Sequence, residues 1–223
     1  RLFAGPFGHY SHHWHEVLLV LALLSIALGN LSAIVQTNIK RMLAYSSIAH
    51  MGYMLLGFSL ATSRGYSSAM FYMITYVLMS VASFGLLTAL SRRGVEVTDI
   101  SDLSGLAERN PWISFMMMIV LFSLAGVPPM VGFIAKISIL EALIQAHLVW
   151  CAVVAILFSI IGAYYYIRVV KVLYFDKTEK ALTQNLIYCA SEGYIAITLS
   201  GFAVLFLGLF PEVLFNLCRF IFS

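Results

Sequence analysis

The sequence predicts an all-α polytopic membrane protein of six transmembrane helices, the fourth broken by glycine and proline. Three observations carry this. Of the 223 residues, 61% are hydrophobic and only 10% charged, against roughly 25% charged in a soluble domain. Mean hydropathy is +0.94. Six apolar stretches, 16–36, 42–62, 67–91, 112–146, 148–175 and 189–210, reach the roughly 20 residues that a helix needs to cross a hydrocarbon core of about 30 Å. Strands of alternating polarity, which a lipid-exposed barrel requires, are absent. A soluble globular fold is therefore excluded, and residues 1–223 read as a single transmembrane domain.

Charge informs orientation rather than partners. A net +3 from 13 basic and 10 acidic residues is too small and too scattered to indicate nucleic acid or an acidic substrate. Lys40, Arg41, Arg92, Arg93, Arg109, Arg168, Lys171, Lys177 and Lys180 collect on one side of the segments. Arg1, Arg64 and Arg219 fall on the other, and Lys136 belongs to neither because it lies inside the fourth segment. The loops between segments one and two, three and four, and five and six are accordingly expected to be cytoplasmic. Cys151, Cys189 and Cys218 stand singly in apolar surroundings and read as packing residues. The chain opens on Arg1 with no charged region and cleavage site ahead of its first apolar stretch, so either a processed chain or a fragment is expected.

Ahead of the first segment, His9, His12, His13 and His15 form a tract flanked by Trp14. No cysteine or carboxylate stands at ligand spacing beside it, so no metal site is assigned. In the second segment His50 lies about 12 Å along the helix, with Ser46 at i−4, Tyr53 at i+3 and Tyr45 and Ser47 close by. Histidine exchanges protons near neutral pH, which makes His50 a candidate relay on a hydroxyl-lined path. A neutral imidazole satisfied by a neighbouring hydroxyl, gluing helices together, is the other reading. Residues 92–111, rich in Ser, Gly, Asp, Glu and Arg and ending at Pro111, mark a surface loop with a short helix near Asp99.

The fourth segment departs most from plain packing. As one straight helix, residues 112–146 would run about 52 Å, far beyond what a bilayer needs. The run from Ala125 through Gly126, Pro128 and Pro129 to Gly132 supplies a break. Proline has no N–H, so the carbonyls of Leu124 and Ala125 lose their helical partners, and the flanking glycines let the backbone turn. Unpaired carbonyls at membrane depth are tolerated only inside protein or beside water. Lys136 follows about 15 Å from the far end of the segment, too deep to snorkel easily. Insertion there is costly, about 2.5 to 3.5 kcal/mol, and intramembrane ionisable residues commonly serve ion pathways. Lys136 is thus a candidate proton carrier, set against a second reading in which it permanently staples the bundle through a carboxylate or the freed carbonyls. Glu141 lies about 140° round the helix from Lys136 and nearer the surface, and it reads as structural. In the fifth segment Arg168 and Lys171 share a face and are expected to snorkel to headgroups, while Tyr164, Tyr165 and Tyr166 read as packing.

The run Gln36-Thr37-Asn38-Ile39-Lys40-Arg41-Met42-Leu43-Ala44-Tyr45-Ser46-Ser47, continuing to His50-Met51-Gly52-Tyr53, resembles a motif of the antiporter-like proton-pumping subunits of respiratory complex I and the related Mrp-type antiporters. Ser123-Leu124-Ala125-Gly126-Val127-Pro128-Pro129, with Gly132, Phe133 and Lys136, is similar to the broken helix of that family's second half. The Gln-Thr-Asn before Lys40, the lysine at 136 and the Tyr-Tyr-Tyr-Ile-Arg-Val run of the fifth segment look most like the bacterial subunit N branch of NADH-quinone oxidoreductase. The resemblance spans nearly the whole chain. It implies two inverted five-helix repeats within a subunit of about fourteen helices, of which this chain would hold one antiporter-like repeat plus a terminal helix, the C-terminal half.

By the same resemblance, Lys136 would be the buried lysine of an exit-side half channel in a membrane-arm subunit of a proton-translocating NADH:quinone oxidoreductase. His50 and nearby hydroxyls would be relay or structural groups. The resemblance implies a multi-pass protein of the bacterial inner membrane. Its partners would be the bilayer, the N-terminal half, and the other membrane subunits of complex I, including neighbouring antiporter-like subunits. The sequence has no Gly-rich nucleotide motif, flavin site or iron–sulfur cysteine set, so NADH, flavin, iron–sulfur clusters and quinone are expected on partner subunits. Without the remaining half, Asn30, Ser32 and Gln36 and the polar face of the second segment are expected to lack partners. A cation/proton antiporter, a membrane hydrogenase subunit and a structural scaffold remain the alternatives.

Overall fold

The computed structural model describes residues 11–90, 97–176 and 191–222, with the side chains of 11–13, 191–193 and 196 excepted. Expectations resting on Arg1, His9, Arg92, Arg93, Lys177, Lys180 and Cys189, and on the side chains of His12 and His13, lie outside the described residues. Among the described residues there is no β-strand, only an isolated antiparallel bridge between Asn38 and Asp99. That is the arrangement expected where backbone groups must be satisfied within each segment.

The helices are α1 (Ser11–Ile34), α2 (Ile39–Ser59), α3 (Ser63–Leu90), α4 (Leu106–Arg109), α5 (Pro111–Ala125), α6 (Val131–Gln145), α7 (Val149–Phe175), α8 (Ser191–Leu209) and α9 (Glu212–Phe222). Among the described residues, three stretches are long and apolar enough to cross a bilayer, Trp14–Ile34, Ser63–Leu90 and Val149–Phe175. A fourth results if α8 and α9, bent by 74° at their junction, count as one span. Length and apolarity thus single out three or four of the six expected segments. Helix α2 has the length, 21 residues, but Lys40, Arg41, His50 and its hydroxyls dilute its apolarity. Helices α5 and α6 have 15 residues each, about 22 Å apiece.

Local chemistry explains where the boundaries moved. Helix α2 starts at Ile39, ahead of the expected 42, because the Asn38 side chain caps it, accepting from the Arg41 backbone N–H at 3.0 Å. Helix α5 starts at Pro111, whose missing N–H costs nothing at a first-turn position, with Asn110 Oδ1 accepting from the Ile113 N–H. The segment expected to end at 210 is followed, after the bend, by α9, an amphipathic helix whose 11 residues are too few for a length criterion to detect alone.

The expected surface loop is also corrected in part. Past Asp99 the chain forms a 3-10 turn, Ile100–Leu103, and then α4. Val97, Ile100, Leu103 and Leu106 are buried, so the loop packs inward rather than lying on the surface. It docks against the α1–α2 turn by paired backbone bonds, Ile39 N–H to Thr98 O and Ile100 N–H to Thr37 O, both 2.9 Å. Arg168 of α7 joins this corner, donating to the carbonyls of Ile34 and Gln36 at 3.3 and 3.5 Å. It caps the end of α1 rather than snorkelling to headgroups. Lys171 lies exposed, 3.9 Å from Asp176.

The core holds Ile26, Met42, Leu56, Tyr72, Met79 and Leu86, all fully buried. Outward faces are apolar as well. Leu21, Leu24, Leu28 and Leu31 of α1 and Val153, Ile156, Ile160 and Ile167 of α7 are exposed, the surface suited to lipid or to a membrane neighbour.

Candidate functional site

The site is assembled where α2, α6 and α7 meet the junction of α5 and α6. Helix α5 ends in a Schellman arrangement: Val127 N–H donates to Phe122 O at 2.9 Å and Gly126 N–H to Ser123 O at 3.0 Å. Gly126 takes the left-handed conformation this requires, with φ of 85°. Pro128 and Pro129 follow, joined by a cis peptide, and contribute no N–H toward Leu124 and Ala125. Helix α6 begins at Val131 beside α5, and Gly132 is where the two chains come closest. Its N–H donates to Ser123 Oγ at 3.1 Å, and a side chain there would collide with the Ser123 carbonyl.

One and a half turns into α6, Lys136 reaches back to this junction. It is 8% exposed. Its Nζ donates to Leu124 O at 3.3 Å, to Ala125 O at 2.7 Å and to Ser159 Oγ of α7 at 3.0 Å. The two carbonyls freed by the prolines are the ones the ammonium binds. A Cβ on Gly126 would stand 2.9 Å from Lys136 Cδ, so the glycine also makes room for the lysine stem. The Tyr53 ring lies with its centroid 5.6 Å from Nζ, within reach of a cation–π contact. Among the described residues no carboxylate forms an ion pair with Lys136. Glu141 instead pairs, exposed, with Arg64 at 3.5 Å.

His50 is 4% exposed and satisfied on both ring nitrogens. Nδ1 lies 2.8 Å from the Tyr72 hydroxyl and Nε2 3.2 Å from the Tyr166 hydroxyl. The ring stacks on Tyr76, centroids 4.9 Å apart. A neutral imidazole has one donor and one acceptor nitrogen, so one tyrosine donates to it and the other accepts from it. The Tyr166 ring packs against that of Tyr165, centroids 4.4 Å apart. Tyr165 donates to Asn30 Oδ1 at 3.1 Å, and Asn30 donates to Ile26 O. Two expectations are corrected here. Asn30 has its partners within this chain, and so does Gln36, which donates to Ser32 O. Tyr165 and Tyr166 belong to a polar network, while Tyr164 is exposed and takes no part in it.

The remaining candidates divide. Tyr53 joins the site, donating to Ala155 O at 2.6 Å and lining the same cavity as Ser159. Ser46 is buried on the same helix, but its hydroxyl donates back to Leu43 O. Ser47 also bonds Leu43 O, and Tyr45 packs half-buried against the core, so neither enters the network. Sequence reasoning missed Ser159, Tyr72 and Tyr76. Their hydroxyls lie on other helices, 23 residues from Lys136 in one case and 22 from His50 in another, and no spacing rule reaches that far.

Between the lysine and histidine clusters lies a cavity of about 10 Å³ lined by Asn30, His50, Tyr53, Lys136, Ser159 and Tyr166, near the lower limit for one water. A far larger cavity of about 910 Å³ opens elsewhere, between the 99–104 turn and the end of α7. It contains none of the candidate site residues. The small cavity is the chemically relevant one, because only there do buried ionisable and hydroxyl groups converge.

Known proteins resemble this chain in sequence and in fold. The family model described as NADH:quinone oxidoreductase/Mrp antiporter, TM, matches residues 2–162. An NADH-quinone oxidoreductase subunit N from Coxiella burnetii is 60% identical over 209 residues, covering 94% of this chain and 43% of the relative. A chain of respiratory complex I from Thermus thermophilus, solved with bound aureothin, superposes with a TM-score of 0.77 at 30% identity, covering 90% of this chain and 45% of that one. A chain of the Mrp complex from Dietzia sp. shares the fold, with a TM-score of 0.85 at 22% identity over 98% of this chain and 48% of that one. The chain thus spans somewhat under half the length of these relatives. On the match of the family model over most of its length, the chain belongs to the NADH:quinone oxidoreductase/Mrp antiporter transmembrane family.

Proposed function

We propose that this chain is part of a membrane-arm subunit of a proton-translocating NADH:quinone oxidoreductase and that Lys136 is its proton carrier. One observation carries the reading. Lys136 is buried with no carboxylate partner among the described residues and is held by two proline-freed carbonyls and a hydroxyl. A cation with no compensating anion at membrane depth is stabilised weakly enough that gaining or losing its proton is energetically accessible. A carboxylate-paired staple would be arranged otherwise, and a staple through the freed carbonyls alone is told apart by Lys136→Arg, which keeps donors for those bonds but releases no proton.

In this reading α5 and α6 form one interrupted span and α8 with α9 another, which with α1, α2, α3 and α7 makes six. The α1–α2, α3–α5 and α7–α8 connections face the cytoplasm of a bacterium, following the distribution of lysine and arginine. The chain itself is non-redox. NADH, flavin, iron–sulfur clusters and quinone belong to partner subunits, and charge changes in neighbouring membrane subunits alter the pairing and hydration of Lys136. His50, held by Tyr72 and Tyr166, is the relay candidate across the small cavity.

The test is donor-driven proton uptake by inverted membrane vesicles carrying Lys136→Ala in the full-length subunit, with assembly checked on the same membranes. Loss of uptake in an assembled complex is expected. Unchanged uptake would remove Lys136 from the mechanism, and a sodium-gradient dependence that persists without an electron donor would favour a cation/proton antiporter.

A further inference from the structure

We propose that Ser159 is a positioning residue that reverses its hydrogen bond to Lys136 as the lysine changes protonation state, and so holds both states in place. The inference rests on the proton-carrier reading of Lys136 and follows from counting donors and acceptors around Nζ. An ammonium has three N–H donors and no acceptor. Its three partners are Leu124 O, Ala125 O and Ser159 Oγ, at 3.3, 2.7 and 3.0 Å. All three donors are therefore used.

A neutral amine has two donors and one lone pair. Both carbonyls are acceptors only, so neither can face the lone pair. Ser159 is the one partner of the three that both donates and accepts. When the ammonium N–H bond facing Ser159 breaks, the electron pair stays on Nζ and the proton passes to Ser159 Oγ, whose own O–H proton leaves to a water in the adjoining cavity. The new Ser159 O–H bond then donates to that pair. Nζ keeps its two bonds to the carbonyls, and neither state leaves a buried polar group unmatched.

The surroundings fit this role. While Lys136 is charged, the Ser159 hydroxyl accepts from Nζ, and its own proton is free to point into the cavity that Tyr53 and His50 also line. Tyr53 in turn donates to Ala155 O, one helical turn before Ser159 on α7. The titratable groups facing Nζ and the cavity are His50 and Tyr53 from α2 and Tyr165 and Tyr166 from α7, and α1 contributes the neutral amide of Asn30. None of these is hydrogen-bonded to Nζ in place of Ser159. Ser159 is half-buried, with Ile156 and Ile160 exposed beside it, so the site has room for a slightly larger side chain.

The experiment compares Ser159→Thr with Ser159→Val in the assembled full-length complex, alongside Ser159→Ala and Lys136→Ala. Threonine and valine have the same shape and differ in the hydroxyl. Donor-driven proton uptake is expected to stay near the unsubstituted rate in Ser159→Thr. It should fall about tenfold or more in Ser159→Val and Ser159→Ala, the factor attached to a lost hydrogen bond to a charged group. Equal uptake in the threonine and valine variants would overturn the proposal, because a packing role does not distinguish them. If Lys136→Ala abolishes uptake while Ser159→Val retains it, only the role of Ser159 fails. Full uptake in Lys136→Ala would sink the proton-carrier reading and this one with it.

Discussion

Gly126 shows how closely the backbone and the lysine depend on each other. Its φ of 85° is in the left-handed region, and an added Cβ would meet Lys136 Cδ at 2.9 Å. Gly126→Ala is expected to lose about 1–2 kcal/mol from the backbone conformation alone and to displace the lysine as well. Thermal unfolding in detergent and proton uptake should both fall; a fall in neither would mean that the junction relaxes freely. His50 makes a second residue-scale case. Tyr72→Phe removes the hydroxyl 2.8 Å from Nδ1 and leaves a buried nitrogen without a partner, which costs about 1–3 kcal/mol. Unaltered thermal stability of this variant would show that His50 is satisfied by other means. The lysine end of the site was legible in the sequence because it follows from covalent structure. Two adjacent prolines must free the carbonyls of Leu124 and Ala125, and a lysine one and a half helical turns into the next helix can reach back to them. The histidine end was legible only as a polar stripe, because Tyr72 and Tyr166 approach His50 from helices whose packing no local pattern encodes.

At the scale of elements, the junctions are held by side chains that bind backbone ends. Asn38 caps α2, and Arg168 binds the carbonyls of Ile34 and Gln36 at the end of α1. Asn38→Ala is expected to lower stability by about 0.5–2 kcal/mol. Arg168→Gln should lower it by about 1 kcal/mol, the low end for bonds to a charged donor, because these bonds are long and the site is half open. Differential scanning fluorimetry of the purified complex reads both changes, and an unaltered melting temperature for Arg168→Gln would restore the snorkelling view of this residue. Apolar length located α1, α3 and α7 to within a few residues. It failed at α9, whose apolar residues cover one side of 11 residues, and at the 97–109 stretch, where single apolar residues are buried between polar ones.

On the scale of the whole molecule, apolar residues occupy the interior and also the outer faces of α1 and α7. The fold class was therefore set by composition, since a chain with this few charges has no aqueous surface to build. Span number and sidedness are less directly encoded, because interrupted helices divide a crossing into pieces too short to count. Single cysteines test the proposed topology. Both Ser101 and Ser63 are exposed. Ser101→Cys should react with a membrane-impermeant maleimide from the cytoplasmic side and Ser63→Cys from the opposite side. Reaction of both from one side would contradict the six-span arrangement.

The most direct measurement of the central claim replaces Lys136 with arginine. Arginine keeps the positive charge and the donors that bind Leu124 O and Ala125 O, yet it does not release a proton under physiological conditions. We expect the Lys136→Arg complex to assemble and to lose donor-driven proton uptake in inverted vesicles. Uptake at the unsubstituted rate in that complex would show that Lys136 holds the junction closed and carries no proton.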